Sequence, residues 1–150
     1  MNKTHKDLAK NKQAFFRYEI LETFEAGIAL KGTEVKSLKA GGGSLQEAYV
    51  KVENKELWLI GANIAPYAQG NVFNHDPKRP RKLLMHKREI VKLQNASREK
   101  GLTLVPLALY LKKNHIKIKI AIAQGKKNID KRASIKEREE KRRMDRFLKG

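Results

Sequence analysis

Alternating apolar and polar residues mark the two longest strands that this chain predicts. Between residues 116 and 123 isoleucine occupies every second position up to residue 122, with Lys117 and Lys119 between. Successive side chains of a strand point to opposite faces, so the isoleucines share one face and the lysines the other. Residues 102–111 form an apolar run of strand length shortly before. Two neighbouring strands are therefore predicted in this part of the chain.

The same alternation predicts further strands in the first half. Aromatic and apolar residues alternate with charged ones over residues 16–30, with Gly27 allowing a bend. Residues 48–53 and 56–60 also alternate, and the two residues between them suit a tight hairpin turn. Residues 62–67 predict another short strand, which a proline interrupts.

Two short helices are predicted between these strands. Thr33 suits the N-cap of a helix whose Glu34 points to solvent. Residues 86–98 carry apolar residues among charges, and a glycine follows them, as at the end of an amphipathic helix. The three glycines at residues 41–43 predict a turn, and residues 68–82 predict a loop.

About six short strands and two or three short helices favour a small, mainly β barrel or sandwich. We expect residues 1–13 to form a flexible N-terminal arm. Residues 14–132 then form the β domain, and residues 133–150 form a basic tail.

The tail differs in character from the rest of the chain. Ser134 with Glu137 three positions later has the pattern of a capping box, and Met144, Phe147 and Leu148 share one side of a helical turn. Because so polar a helix buries too little surface to fold alone, we expect it to be disordered in isolation and helical on a polyanionic partner. A tail that serves only solubility is the alternative.

The net charge is strongly positive and unevenly placed. The 150 residues contain 34 Lys and Arg against 16 Asp and Glu, a formal charge of +18. Residues 15–74 carry a net charge of −1, whereas residues 75–100 and 126–150 carry +6 each. This distribution favours a surface that binds a polyanion, namely RNA, DNA or an anionic membrane, over one charged for solubility alone.

Composition excludes several classes of site. The chain has no cysteine, which excludes disulfides, cysteine zinc sites, iron–sulfur clusters and cysteine nucleophiles. Its four histidines are scattered, so neither a metal site nor a cofactor is expected. No apolar run is long enough to cross a bilayer and no secretory signal is visible, so we expect a cytoplasmic protein.

His75 and Asp76 are the neighbouring residues that best suggest acid–base chemistry. A general base needs an oriented partner, and no second histidine or carboxylate lies nearby in sequence. An aspartate before a proline also commonly begins a turn. The pair therefore predicts a turn first, an RNA contact second and a catalytic pair last.

Two basic clusters are candidate phosphate sites. Residues 78–82 read KRPRK, where prolines limit the entropy lost on binding and arginine fits phosphate oxygens with paired hydrogen bonds. A second cluster surrounds the glycine at residue 125. Aromatic residues are few, which argues against a platform that stacks many bases and favours recognition of a folded RNA by shape.

Four motifs, in order, resemble those of one family. They are GIALKGTEVKSL at residues 27–38, GANIAPY at 61–67, HDPKRPRKLL at 75–84 and GKKNIDKR at 125–132. From about residue 12 onward the chain is similar to the SsrA-binding proteins, also called small protein B. Four long motifs at matching spacing make this a specific signal.

The resemblance implies an oligonucleotide-binding-fold-like β-barrel without catalysis. It implies binding to the tRNA-like domain of transfer-messenger RNA, with elongation factor Tu in the delivery complex. It also implies that the tail becomes helical in the empty mRNA channel of a stalled ribosome, near the decoding centre. Trans-translation, in which the nascent peptide is tagged for degradation, is then the process served.

The resemblance further implies two sets of contact residues. The RNA-binding set is Glu34, Lys36, Asn63, Arg79, Arg81, Lys82, Lys126, Lys127, Lys131 and Arg132. The ribosome-binding tail set is Ile135, Lys136, Arg138, Arg142, Arg143, Met144, Phe147 and Leu148. Ile129 departs from the family, because many members carry His or Tyr there, and isoleucine packs on a base but donates no hydrogen bond.

Two other functions stay open on the residues alone. One is a small basic ribonuclease that uses His75 and Asp76, and the other is a structural ribosomal protein. A non-enzymatic RNA-binding adaptor for ribosome rescue is the leading hypothesis.

Overall fold

Antiparallel strands are the commonest regular elements of the fold. The computed structural model describes residues 5–68 and 74–126. The helices of this part are α1 (Lys12–Arg17), α2 (Gly32–Lys39) and α3 (Lys87–Arg98). Its strands are β1 (His5–Lys10), β2 (Tyr18–Ile28), β3 (Gly43–Ser44), β4 (Tyr49–Glu53), β5 (Glu56–Ile60), β6 (Asn63–Ile64), β7 (Arg81–Leu84), β8 (Leu102–Lys112) and β9 (His115–Gly125).

Seven of these strands form one antiparallel sheet, in the order β1-β8-β9-β2-β7-β5-β4. The sheet curls over its core, so that β4 at one edge packs against β8 near the other, while α3 packs against both. β3 and β6 pair separately in a two-stranded sheet. This curled sheet confirms the small, mainly β fold predicted from the sequence.

The isoleucines of β9 face the core, as their alternation predicts. Ile118 and Ile120 are 0% exposed, whereas Lys119 between them is exposed. Further along β9 the opposite face is also covered, because α1 packs on it through a second apolar cluster of Ala14, Val105, Leu107, Ala121 and Ala123. The end of β9 is therefore buried on both faces, and its lysines lie where the cover is absent.

Two tight turns connect the hairpins. Asn54 and Lys55, with φ angles of 52° and 63°, join β4 to β5 at the predicted turn. Lys113 and Asn114, with φ angles of 48° and 65°, join β8 to β9. Positive φ at both central residues is typical of the type I′ turn, whose twist matches that of the strands it connects.

The N-terminal segment differs most from the prediction. Residues 5–10, expected in a flexible arm, form β1 and pair with β8. Asn11 anchors them, because its backbone amide donates to Leu107 O at 2.8 Å and its side chain donates to Pro106 O at 2.9 Å. Phe16, expected to begin a strand, lies in α1. That helix is under two turns long, too short for its period to show in the sequence.

Two short strands also differ from their predictions. The strand predicted over residues 62–67 is reduced to Asn63–Ile64. Conversely, Arg81–Leu84 begins within the predicted loop but forms β7, between β2 and β5. A strand of four residues is too short to show a clear alternation in the sequence. Its two partner strands also lie far away along the chain, so no local pattern indicates the pairing.

The glycines at residues 41–43 bring the chain close to α2. A Cβ at Gly42 would lie 2.3 Å from Ser37 Oγ and 3.0 Å from Ser37 O. The Gly42 amide instead donates to Ser37 O at 2.8 Å, and Gly42 O accepts from Ala65 N at 2.8 Å. Ser37 Oγ donates to Ala65 O at 2.6 Å. These bonds hold the end of α2 against the segment after β6.

We predict that Gly42→Ala destabilises the fold by about 1–3 kcal/mol, because α2 or the Ala65 segment must move to admit the methyl group. Gly32→Ala is the matched control, since a Cβ there meets nothing within 4 Å. Urea unfolding followed by circular dichroism measures both variants. Equal midpoints would contradict the close approach at Gly42.

Candidate nucleic-acid interface

A buried carboxylate organises the first turn of α2. Glu34 is 0% exposed, and it accepts a hydrogen bond from the Lys31 amide at 2.7 Å. Lys31 is the N-cap, and Thr33, predicted in that role, lies inside the helix. The bond satisfies a backbone donor that the helix start leaves free. The prediction that Glu34 points to solvent is therefore wrong. Its predicted contact with RNA stays a prediction, for a side chain with no exposed surface here.

Two arginines of the KRPRK segment donate hydrogen bonds to this carboxylate. Arg81 Nε donates to Glu34 Oε2 at 2.7 Å, and Arg79 Nε donates to the same oxygen at 3.0 Å. Arg79 Nη2 also donates to Glu34 Oε1, which makes that contact bidentate. Arg81 is also 0% exposed, so the structure gives it an internal role, and its predicted contact with RNA stays a prediction. Arg79 keeps 25% of its side chain exposed and stays a candidate contact.

Arg81 also binds three backbone carbonyls. Its Nη1 donates to Ala62 O at 3.0 Å, and its Nη2 donates to Pro77 O at 3.0 Å and Asp76 O at 3.3 Å. Each nitrogen of the buried guanidinium therefore has an acceptor. Arg81 is a positioning residue that fixes the chain after β5 and the turn before β7 around α2.

Burial and these hydrogen bonds shift the pKa values of both Glu34 and Arg81. Burial raises the pKa of Glu34, but hydrogen bonds from Arg79, the Lys31 amide and Arg81 outweigh it and hold that pKa below its usual value. Burial lowers the pKa of Arg81, and Glu34 opposes the change. Both groups remain ionised near neutral pH, and each supplies the other's counter-charge.

His75 belongs to the same buried network. The residue is only 4% exposed, with Nε2 2.8 Å from Ile64 O and Nδ1 2.8 Å from Thr33 Oγ1. A carbonyl oxygen only accepts, so Nε2 carries the proton, and in the neutral ring Nδ1 accepts from the Thr33 hydroxyl. Asp76 is exposed and accepts from the Lys78 amide at 3.0 Å, which begins a turn. The two neighbours are thus bound to different partners, in the turn arrangement that the sequence favours.

Other cations of the candidate set do reach solvent. Lys36 is exposed on α2, with its Nζ 5.8 Å from the centroid of the Tyr67 ring. The Lys82 side chain is 44% exposed on β7, and Asn63 is half-buried on β6. Lys126 is also half-buried, and its Nζ donates to Phe15 O at 3.1 Å. The structure thus separates contacting candidates on the surface from positioning residues beneath.

The remaining predicted contacts lie outside the described residues. This applies to the basic cluster and the whole tail set: Lys127, Lys131, Arg132, Ile135, Lys136, Arg138, Arg142, Arg143, Met144, Phe147 and Leu148. Ile129, the departure from the family pattern, lies there as well.

The outer face of β2, β7 and β9 carries candidate contacts that the sequence reasoning missed. Leu84 is 53% exposed and pairs with Gly27, which pairs on its other side with Lys117. Because Gly27 has no side chain, Leu84 and Lys117 lie on either side of a shallow depression in the surface. The alternation predicts that Lys117 faces outward, but no local signal places Leu84 next to it.

Glu25 stands on the same outer face and forms a small network of its own. Its carboxylate accepts from the Tyr110 hydroxyl and from Lys112 Nζ at 3.3 Å. The Tyr110 hydrogen bond lowers the pKa of Glu25, against burial, and Lys112 and Lys117 lower it further. Burial and the same carboxylate raise the pKa of Tyr110. An ionised carboxylate therefore holds Lys112 in place on this part of the sheet.

Sites of two other kinds are absent from the described ranges. In residues 5–68 and 74–126, no helix is both long and apolar enough to span a membrane. In the same ranges, no three or more histidine, aspartate or glutamate side chains cluster in a way that could hold a metal ion.

The sequence of this chain matches a known protein family. The family model described as SmpB protein matches residues 8–150. The chain belongs to the SmpB protein family. Membership confirms the resemblance drawn from the four sequence motifs.

Relatives in this family match over nearly their full length. The SsrA-binding protein of Protochlamydia amoebophila is 61% identical over 149 residues, which cover 99% of this chain and 97% of that protein. The SsrA-binding protein of Carboxydothermus hydrogenoformans is 55% identical over 144 residues, which cover 96% of this chain and 97% of that protein.

A solved structure is similar in fold as well as in sequence. It is described as "tmRNA-SmpB: a journey to the center of the bacterial ribosome". Its matching chain is 49% identical and superposes with a TM-score of 0.68, covering 79% of this chain and 84% of that chain. This agreement supports the small, barrel-like β architecture.

We predict that Glu34→Gln destabilises the protein by about 3–5 kcal/mol, because Arg81 then stays buried without a counter-charge. Glu56→Gln is the matched control. Glu56 pairs with Lys82 at 3.5 Å with both side chains nearly half exposed, so its loss costs at most about 1 kcal/mol. Urea unfolding measures both, and equal costs would contradict the role assigned to Glu34.

The pH dependence gives a second measurement of the same variant. A carboxyl whose pKa is lowered by folding adds stability above its ordinary pKa, 4.5 for Glu34, and loses that contribution as the pH falls through the lowered value. The wild type should therefore lose more stability below pH 4.5 than Glu34→Gln does. Parallel stability curves in acid would contradict this assignment.

Proposed function

We propose that this chain is an RNA-binding adaptor of ribosome rescue. It binds the tRNA-like domain of transfer-messenger RNA and brings that RNA to stalled ribosomes for trans-translation. The observation that carries the proposal is the similarity, at 49% identity and a TM-score of 0.68, to the SmpB chain of a structure described by tmRNA and the bacterial ribosome. The relatives named for SsrA binding support the same RNA partner.

The geometry of the candidate interface suits a folded RNA. Arg79 and its neighbours are held by a buried network, so the surface around them loses little conformational entropy on binding. Lys36, Lys78 and Lys82 are at least partly exposed beside it and can contact phosphates, while Asn63 can bond to sugar or base edges. A rigid, positively charged surface with few aromatics favours recognition by shape and phosphate position.

Several finer features belong to the same proposal. The β domain binds the RNA, and the tail from about residue 133 enters the empty mRNA channel near the decoding centre and becomes helical there. Elongation factor Tu takes part in delivery. The adaptor performs no catalysis and works in the cytoplasm.

The ribonuclease alternative is less favoured by the geometry at His75. Both ring nitrogens already face Ile64 O and Thr33 Oγ1, and Asp76 caps its own turn. A general base needs a free nitrogen within reach of a substrate hydroxyl. Incubation with labelled RNA distinguishes the two functions, because cleavage that His75→Ala abolishes would support the nuclease.

For RNA recognition, we predict at least a tenfold preference for the tRNA-like domain over an ordinary tRNA and an unstructured RNA of equal length, about 1.4 kcal/mol. Competition binding near physiological salt measures it. Affinity should also fall steeply with salt, because each neutralised phosphate releases counterions. Equal affinity for the three RNAs would mean that the net charge of +18 attracts any polyanion without specificity.

For the tail, we predict that deleting residues 134–150 leaves affinity for the tRNA-like domain within about threefold, while tagging of stalled nascent chains is lost. The reason is that the candidate RNA contacts, from Lys36 to Arg132, all precede the deleted segment. A filter-binding assay and a reconstituted tagging assay measure the two activities. A collapse of RNA affinity in the truncated protein would contradict this division of labour.

A further inference from the structure

A lysine–tryptophan–lysine row crosses three strands of the main sheet. Lys51 of β4 pairs with Trp58 of β5, and Trp58 pairs with Lys82 of β7. Leu57 and Leu59, on either side of Trp58, are both 0% exposed in the core. Side chains alternate along a strand, so Trp58 and its two partners stand on the outer face. Neighbouring strands are about 4.8 Å apart, so a lysine flanks the indole on each side.

This row is not part of the core. Trp58 is half-buried rather than enclosed, and Tyr49, two residues before Lys51 on the same face, is 47% exposed. Trp58 is also the single tryptophan of the chain. A large aromatic on an outer face, bordered by cations, is a surface on which a nucleic-acid base stacks while its phosphates meet ammonium groups.

The two lysines are available to a ligand. Lys51 lies 3.2 Å from Glu53, and Lys82 lies 3.5 Å from Glu56, with all four side chains between 44% and 57% exposed. Ion pairs this exposed are weak, so a phosphate can replace the carboxylate partner of either lysine.

The row also continues the candidate interface. Lys82 is the last residue of the KRPRK segment, and Arg79 and Arg81 of that segment form the buried network with Glu34. An RNA bound at Lys82 therefore also reaches Trp58, because the two residues are paired on adjacent strands.

We propose that the row binds one unpaired nucleotide of the RNA partner, with the base stacked on Trp58 and the adjoining phosphates held by Lys51 and Lys82. The proposal rests on the function proposed above and adds a specific contact to it. A single stacking position agrees with the scarcity of aromatics, which argues only against a track of many bases. The charge of the row favours RNA over an apolar protein partner.

The tryptophan fluorescence of this chain reports on the contact at Trp58, because Trp58 is its only tryptophan. The full-length chain is titrated with a transcript of the tRNA-like domain and with a fully paired RNA duplex of equal length. We expect the tRNA-like domain to quench Trp58 emission and to protect it from acrylamide. The duplex, which offers no unpaired base, should bind through its phosphates without either effect.

Three substitutions test the row by affinity. Trp58→Ala should weaken binding of the tRNA-like domain by about 5- to 150-fold, the range for loss of one stacked base. Trp58→Phe should stay within about threefold of the wild type, because phenylalanine still stacks. The double variant Lys51→Gln with Lys82→Gln should lower the salt slope by about 0.7 for each phosphate that is no longer neutralised. Lys55→Gln, in the exposed β4–β5 turn and off the row, is the control and should leave affinity and slope unchanged.

The outcomes separate this proposal from the function on which it rests. If the tRNA-like domain binds with its expected preference but leaves Trp58 emission unchanged, and Trp58→Ala and Trp58→Phe bind as the wild type does, the row is not a nucleotide site. Emission that responds to ribosomal proteins but not to RNA would assign the face to a protein and overturn the proposal. Loss of the preference itself would overturn the proposed function, and the row with it.

Discussion

The ion pair between Glu34 and Arg81 is the constraint on which the candidate interface depends. Removing a charge from water costs several kcal/mol, and both side chains are 0% exposed. The pair is tolerated because Glu34 also accepts from Lys31 and Arg79, while Arg81 also donates to three carbonyls. Within the described part of the chain, no buried side-chain nitrogen or oxygen lacks a partner. Such a network is stable only when it is complete, so it fixes one arrangement of α2, the chain after β5 and the turn before β7.

This constraint explains why charged residues of one motif have different roles. In KRPRK, Arg81 faces the core and Lys82 faces outward, because they are successive residues of a strand. Arg79 lies between these extremes, holding Glu34 with its guanidinium while part of its side chain stays at the surface. Rigid support beneath exposed lysines is what recognition by shape requires, because the phosphates of a folded RNA occupy fixed positions.

The strands extend this division across the sheet. Their inward residues form one apolar core, and their outward residues carry Lys51, Trp58, Lys82, Leu84 and Lys117. β7 is the element that joins the outer surfaces, since it pairs with β5 on one side and β2 on the other. Lys82 therefore belongs both to the basic segment near α2 and to the row on β4 and β5. One short strand, absent from the sequence prediction, brings together surfaces that are far apart along the chain.

The sequence by itself determined the long strands, the Asn54–Lys55 turn, α3 and the polyanion-binding character, because periodicity, turn chemistry and charge are local or additive properties. Its four motifs also determined the family. Local patterns could not place β1 or β7, since each is ordered by hydrogen bonds to strands distant in sequence. Nor could they reveal that Glu34 and Arg81 are buried, because charged residues are usually exposed unless a partner is present. Only the tertiary structure supplied those partners, by bringing α2 and β7 together. It thereby decided which charged side chains are buried beneath the surface and which are exposed on it.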